Sequence, residues 1–320
     1  FSPFIFHPHL PSSTHGFRVI KKVGIVGMGA LGLMYGNWIK ENNTDVVVDY
    51  IMDSKRLKRN QEKTFSINGN VVNCNMIDAN LATCYDLLIV AVKAPALQSA
   101  LKVMENAVDK NTTIISVLNG ITSEKIIGQR YNEQQVLYAI AQGMDAVKLQ
   151  TDLTYSTRGH LLIGIKDDSQ NDRLEELASF FDQCKIDYFI KEDILHHLWA
   201  KFMLNVGINQ TCMVYNTNYG GALLPGKAHE TLIKAMQEVI ELSSYEGIDL
   251  SEKDLNFYLD LLATLDPNGL PSMAQDAKNK RYSEVELFSG TVIKLASKHH
   301  LDVPVNRFLY QRIKEIESEY

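Results

Sequence analysis

Cysteine is scarce and scattered. Cys74, Cys84, Cys184 and Cys212 are the only four in 320 residues, and no two form a C-x-x-C pair. That excludes a disulfide scaffold and leads us to expect reduced thiols in a cytoplasmic protein. No apolar run reaches the roughly 18–20 residues needed to span a bilayer, so a membrane protein is not expected. Long basic runs are also missing and the net charge is −6. Nucleic acid and anionic membrane surfaces are therefore not expected partners. No His, Cys and Asp cluster has metal-ligand spacing, so no metal is expected. Internal repeats and low-complexity tracts are absent.

What remains is an ordinary globular balance, 45% hydrophobic and 22% charged, in a chain long enough for two domains. Residues 1–20, FSPFIFHPHLPSSTHGFRVI, hold three Pro and three His and lack a continuous apolar segment. They read as a disordered leader or expression remnant, not a secretory signal. Residues 21–191 read as a Rossmann dinucleotide-binding domain. Residues 192–320 read as an α-helical domain for substrate and catalysis. The fold class is thus α/β in front and all-α behind.

The nucleotide reading starts at Lys22–Val26, a short β-rich run that leads into Gly27-Met28-Gly29-Ala30-Leu31-Gly32 and a helical stretch from Leu33 to Lys40. In G-x-G-x-x-G the first glycine permits a tight turn. The second lets backbone approach a pyrophosphate, and the third lets helix and strand pack closely. The helix then points its first amides at the phosphates. A second strand, Val46–Met52, ends at Asp53, 21 residues after Gly32. An acid there suits the adenosine ribose hydroxyls and repels a 2′-phosphate. Two alternatives stay open: Asp53 as a helix N-cap, and Lys55, Arg56 and Lys58 as holders of a 2′-phosphate. The cofactor is NADPH or NADH.

Phe65–Ile67 and Val71-Val72 flank Asn68-Gly69, a hairpin signal. Asp86–Val92 and Thr113–Val117 are the near-continuous apolar runs of buried parallel strands. They end in Lys93 and in Leu118-Asn119-Gly120. Ligands of open α/β sheets sit beyond the carboxyl ends of strands. Gly27, Asp53, Lys93 and Asn119 all fall there, so one cleft can hold them. Short strands near Val136–Ile140, Leu153–Thr157, His160–Ile165 and Tyr188–Ile190 and a helix near Arg173–Cys184 complete this half.

Behind it, Leu198–Asn209 is apolar except for Lys201, Asn205 and Asn209, spaced i, i+4, i+8 on one helix face. A helix buried nearly all round must give such groups partners, a ligand or a structural polar network. A buried lysine with a lowered pKa can protonate a developing alkoxide. Pro271-Ser272 followed by Gln275 reads as a capping box whose hydroxyl and amides can hold a carboxylate. Glu284 opens a further helix with Phe288, Thr291, Val292 and Leu295 inward, and an acid in a first helical turn is the plainer reading of it. His196 and His197 fall off the polar face and are not expected to be catalytic.

Together, GMGALG at 27–32, VAVKAP around Lys93, Leu118-Asn119-Gly120, LWAKFMLNVGIN at 198–209 and PSMAQDAKNKRYSEVE at 271–286 resemble the ketopantoate reductase (2-dehydropantoate 2-reductase) family from Lys22 to Tyr320. The resemblance implies a Rossmann domain plus a helical domain like that of 6-phosphogluconate dehydrogenase, and reduction of 2-oxopantoate by NADPH to D-pantoate on the route to pantothenate. It implies Lys201 as general acid and Glu284 near the reacting hydroxyl and cofactor. Asn205, Asn209 and Ser272 would orient the 2-oxo acid, with Asn119 and Lys93 touching cofactor and substrate. Another asparagine of the site would be Asn216 or Asn218. One departure is plain: many relatives carry Arg at the tip of the second strand, where this chain has Asp53. The rival readings are an NAD-dependent D-2-hydroxyacid dehydrogenase for another branched or aromatic 2-oxo acid, and a non-catalytic dinucleotide-binding sensor. The expected partners are a small 2-oxo acid and a second copy in a homodimer.

Overall fold

A computed structural model describes residues 18–320. The strands are β1 (Lys22–Val26), β2 (Val47–Met52), β3 (Phe65–Ile67), β4 (Asn70–Val72), β5 (Met76–Asp78), β6 (Leu87–Val90), β7 (Thr113–Ser116), β8 (Val136–Met144), β9 (Val147–Leu149), β10 (Asp152–Thr154), β11 (Arg158–Gly164) and β12 (Tyr188–Ile190). Helices α1 (Ala30–Asn42), α2 (Ser54–Gln61), α3 (Leu97–Val103), α4 (Ser123–Arg130) and α5 (Asn171–Gln183) accompany them. From Ile194 the described chain is helical: α6 (Ile194–Val214), α7 (Tyr219–Leu223), α8 (Lys227–Tyr245), α9 (Glu252–Ala263), α10 (Ser272–Lys278), α11 (Thr291–Lys298) and α12 (Pro304–Glu317).

The main sheet runs β12-β11-β8-β7-β6-β1-β2-β5. From β5 to β8 every pairing is parallel. Counting only these six strands, the order is 3-2-1-4-5-6, the doubly wound dinucleotide-binding arrangement. β11 then pairs antiparallel with β8, and β12 closes that edge. The strands β1, β6 and β7 are buried on both faces, as their unbroken apolar runs demand. One face is covered by Leu33, Tyr35, Trp38 and Ile39 of α1 with Leu177, Phe180 and Phe181 of α5. The other is covered by Leu97 and Leu101 of α3 and Ile127 of α4.

The Asn68-Gly69 hairpin is present, with both residues at positive φ (49° and 81°), as a two-residue type I′ turn requires. Two strands escaped the pattern reading. β5 and β9 are three residues long, too short to show a period. β10 covers Asp152–Thr154, where the sequence suggested Leu153–Thr157. Of the leader assigned to 1–20, residues 1–17 lie outside the described residues. Ile20 is packed in the core, 5% exposed, so the leader assignment does not hold at that residue.

The helical half packs around α6. Phe202, Met203 and Val206 meet Leu232, Met236 and Val239 of α8 and Leu309 and Ile313 of α12. The first turns of α6 instead face the sheet: Ile194 and Leu198 pack on Ile140 of β8 and Leu162 of β11. Each such side chain stabilises the contact by roughly 1.5–3 kcal/mol. This contact fixes where the next turn of α6, carrying Lys201, meets the sheet. Among the described residues no helix is long and apolar enough to cross a membrane.

Candidate active site

The carboxyl ends of the parallel strands present a row of residues. Asp53 follows β2, Gly27 follows β1, Lys93 lies beyond β6, Asn119 lies beyond β7, and Ala141 is in the outer part of β8. With neighbouring strands ~4.8 Å apart, this row spans about 19 Å. The glycine loop holds its shape by close packing. Gly27 has φ +109°, and a Cβ on Gly32 would lie 2.0 Å from the Gly27 carbonyl oxygen. Gly29 differs: the nearest atom to a Cβ there is 3.9 Å away, so the protein itself leaves room. An open backbone cradle at the head of α1 suits a pyrophosphate. A cavity beside it is lined by Gly27, Met28, Asp53, Arg56 and Ser99. Asp53 is also the N-cap of α2, its Oδ1 accepting from the Arg56 amide at 2.8 Å. The capping alternative is therefore realised, and Asp53 also lines the cavity.

Lys201 reaches from α6 to the sheet. Its Nζ donates to the Ala141 carbonyl at 2.7 Å and to Asn119 Oδ1 at 3.3 Å. Asn119 in turn donates from Nδ2 to Glu284 Oε2 at 3.2 Å. One carboxamide thus bridges the amine of one half and the carboxylate that follows α10. Lys201 keeps some exposed surface, yet its ammonium is enclosed by protein, and burial pulls its pKa down to about 8 against the opposing pull of Glu284. It makes no ion pair among the described residues. Burial raises the Glu284 pKa, a rise opposed by the Asn119 hydrogen bond and by Lys93 and Lys201. Lys93 also lowers Asp276, an acid that burial raises. Asp276 was not singled out in the sequence; its signal was its place in the SMAQD run.

The polar stripe of α6 continues as expected. Asn209 Nδ2 donates to Asn205 Oδ1 at 3.1 Å, and Asn209 Oδ1 accepts from Ser272 Oγ at 2.9 Å and from the Met273 amide at 3.2 Å. The capping box is a correction. Ser272 is the first residue of α10 and makes no side-chain cap, because its hydroxyl is engaged across the domain by Asn209. Gln275 donates to the Leu270 carbonyl instead. Glu284 also differs from expectation: it lies in a bend before a π-helical turn, Glu286–Gly290, that runs into α11. Phe288, Thr291 and Val292 are buried as read, and Leu295 packs partly buried against the same core beside the fully buried Ala296. Asn218 caps α7 through the Gly221 amide, and Asn216 sits at φ 48° where α6 ends. His196 is held between Asp249 and Asp254, and His197 pairs with Asp193, so both serve local contacts.

A parallel 3-2-1-4-5-6 sheet with an open glycine cradle, joined to a helix that brings a buried amine to the sheet's carboxyl edge, defines a dinucleotide-dependent oxidoreductase acting on a CH–OH group. Residues 23–167 match the family described as "Ketopantoate reductase PanE/ApbA", and residues 193–317 match "Ketopantoate reductase PanE/ApbA C terminal". The chain belongs to the ketopantoate reductase family. It is 22% identical to the 2-dehydropantoate 2-reductase of Streptococcus pyogenes over 92% of this chain and 98% of that protein. It is 24% identical to that of Escherichia coli O157:H7 over 93% and 96%. In fold it is similar to D-mandelate dehydrogenase in its ternary structure with NADH and anilino(oxo)acetate, with a TM-score of 0.82, 20% identity and coverage of 93% and 99%. The PanE/ApbA family ketopantoate reductase of Ralstonia eutropha JMP134 is similar too, with a TM-score of 0.78, 22% identity and the same coverage.

Proposed function

We propose that the chain reduces 2-dehydropantoate to D-pantoate with NADPH or NADH, using Lys201 as the general acid. The observation that carries this reading is the place of Lys201: an amine buried in an apolar helix, at the carboxyl edge of the sheet, with two of its three N–H bonds committed to Ala141 and Asn119. The third is left for a substrate oxygen. When bound, the dihydronicotinamide supplies a hydride to the C2 carbonyl carbon. Lys201 delivers its proton to the carbonyl oxygen as negative charge gathers there, so the positive charge is aimed at what develops in the transition state. Asn119 Oδ1 keeps the ammonium oriented from one side and the Ala141 carbonyl from the other. Glu284 is the partner for the new hydroxyl. Asn205, Asn209 and Ser272 would hold the carboxylate end of the substrate, and Lys93 adds positive charge near it. The Gly27–Gly32 loop would hold the pyrophosphate and Asp53 the adenosine ribose. Closure of the two halves would exclude water and fix donor against acceptor.

Turnover of ketopantoate, 2-oxoisovalerate and phenylglyoxylate, each with NADH and NADPH, tests the reading. Ketopantoate should give the highest kcat/KM. A higher value for phenylglyoxylate would transfer the assignment to an aromatic 2-hydroxyacid dehydrogenase. Binding of either dinucleotide without oxidation by any acid would leave only a sensor. The NADH arm has its own physical basis: the Asp53 carboxylate opposes a 2′-phosphate, while Arg56 beside it attracts one. We also infer a homodimer, as named for the dimeric ketopantoate reductase of Staphylococcus aureus, which shares the fold with a TM-score of 0.76. Light scattering at assay concentration checks it.

A further inference from the structure

The Asn119 loop is held from beneath by groups with no part in the chemistry above. Ser116 ends β7, and Ser123 and Glu124 open α4; the three are 0%, 2% and 4% exposed. Ser116 Oγ and Ser123 Oγ are 2.7 Å apart, Ser123 Oγ donates to Glu124 Oε2 at 3.2 Å, and the Leu118 amide donates to Ser116 Oγ at 3.3 Å. With Glu124 as the carboxylate, one direction satisfies all three contacts. The Leu118 N–H points to Ser116, the Ser116 hydroxyl to Ser123, and the Ser123 hydroxyl to the carboxyl. The chain of donors therefore begins one residue before Asn119 and ends on Glu124.

A buried carboxyl is a costly terminus for a merely structural bridge. Burial pushes the Glu124 pKa up to about 7, and Glu124 Oε1 has no hydrogen-bond partner among the described residues. Lys125, Glu133, Tyr138 and Lys166 line the cavity beside it, but the Lys166 ammonium lies 3.6 Å from Glu133 and pairs with that carboxylate. From the opposite side the loop meets the helical half: at Gly120, φ +85°, a Cβ would lie 2.9 Å from Leu287 Cγ, three residues after Glu284. Asn119 thus sits between Leu118, held by the hydroxyl chain, and Gly120, packed close to Leu287.

We propose that Ser116, Ser123 and Glu124 form a positioning relay that sets the Asn119 carboxamide, and through it the Lys201 ammonium and the Glu284 carboxylate, in register for proton delivery. The relay needs an acceptor at Glu124 Oε2, not a charge. A glutamine can turn its carbonyl oxygen to Ser123, so Glu124→Gln should keep it, whereas Glu124→Leu and Ser123→Ala should break it.

This inference rests on the catalytic reading of Asn119 and Lys201, so Asn119→Ala and Lys201→Ala are measured beside the relay variants. Steady-state rates for the 2-oxo acid at saturating cofactor, with thermal unfolding of each protein, give the readout. Ser123→Ala and Glu124→Leu should each lower kcat about tenfold, since small misplacement of catalytic groups is costly, with the KM for the dinucleotide unchanged. Glu124→Gln should recover most of the rate. The double variant Ser123→Ala/Glu124→Leu should be no slower than either single one, because both cut the same chain. Ser123→Ala removes a single atom and keeps the relay testable if Glu124→Leu fails to fold. Wild-type kcat in Ser123→Ala, or equal loss in Glu124→Gln and Glu124→Leu, overturns the relay while a slow Asn119→Ala leaves the catalytic reading standing. Wild-type kcat in both Asn119→Ala and Lys201→Ala sinks the catalytic reading itself.

Discussion

The two halves of the molecule build their parts of the site from opposite materials. The front half uses mostly backbone: a glycine loop, a helix start and the ends of parallel strands, with side chains kept clear of the glycine cradle and only Asp53, Lys93 and Asn119 added at the strand ends. The back half uses side chains: an amine and two carboxamides on a stretch of α6, Leu198–Asn209, that is otherwise apolar, braced by a hydroxyl from α10. Backbone sites tolerate sequence change but not added volume. Side-chain sites tolerate volume change nearby but not loss of one functional group. Mutations in the two halves should therefore fail in different ways.

The largest contrast is at Lys201. Lys201→Ala should lower kcat for 2-oxo acid reduction on the order of 10²-fold or more, as loss of a general acid does. Dinucleotide affinity, set in the other half, should stay near wild type by fluorescence titration. If turnover survives, the amine is structural. The front half should show the reverse pattern. At Gly32 a Cβ would lie 2.0 Å from the Gly27 carbonyl oxygen, so Gly32→Ala must push helix from loop at a cost of about 1–3 kcal/mol. At Gly29 the nearest atom is 3.9 Å away. Gly29→Ala should leave the unfolding temperature unchanged and raise only the KM for the dinucleotide. Equal melting losses in the two variants would remove the argument that Gly29 is shaped for a ligand.

The pH dependence sharpens the same comparison, because the limb near pH 8 belongs to the back half. A free lysine loses its proton near ~10.4, but burial brings Lys201 down to about 8. With Lys201 as the proposed general acid, reduction uses the ammonium, so its rate should be flat below pH 8 and fall as pH rises through it, toward tenfold per unit. Oxidation of the 2-hydroxy acid uses the neutral amine and should rise with pH up to the same point. Both limbs should vanish from the residual activity of Lys201→Ala. A limb at pH 8 that persists in that variant belongs to another group.

How far this was legible in sequence follows from the same division. The glycine loop is a local object, and its spacing fixed its structure before any neighbour was known. The α6 stripe was legible because three polar residues in an apolar helix contradict their surroundings, which is a signal in itself. What the sequence hid was tertiary. Nothing near Ala141 announces that its carbonyl accepts from Lys201, and the bridge from Asn119 to Glu284 joins residues 165 positions apart. The Ser272 capping box was misread because the S-x-x-Q pattern is local, while the hydroxyl's partner, Asn209, comes from another helix. Glu284 was placed in a helix because the apolar period after it is real; the π-helical turn shifts the start by two residues.

The smallest expected effect lies at that misread serine, and it separates the two accounts of it. A cap would make Ser272→Ala a stability variant, costing about 1 kcal/mol at the start of α10. The observed contact with Asn209, together with the proposed substrate role of that pair, predicts a substrate variant instead. Asn209 Oδ1 keeps the Met273 amide as a donor at 3.2 Å when the Ser272 hydroxyl is removed, so no buried acceptor is stranded. The melting temperature should then barely move. Asn209 would lose one of the bonds that fix its rotamer, and the KM for the 2-oxo acid should rise a few-fold with kcat nearly constant. A clear drop in melting temperature with unchanged KM would restore the capping role and take Ser272 out of the substrate site.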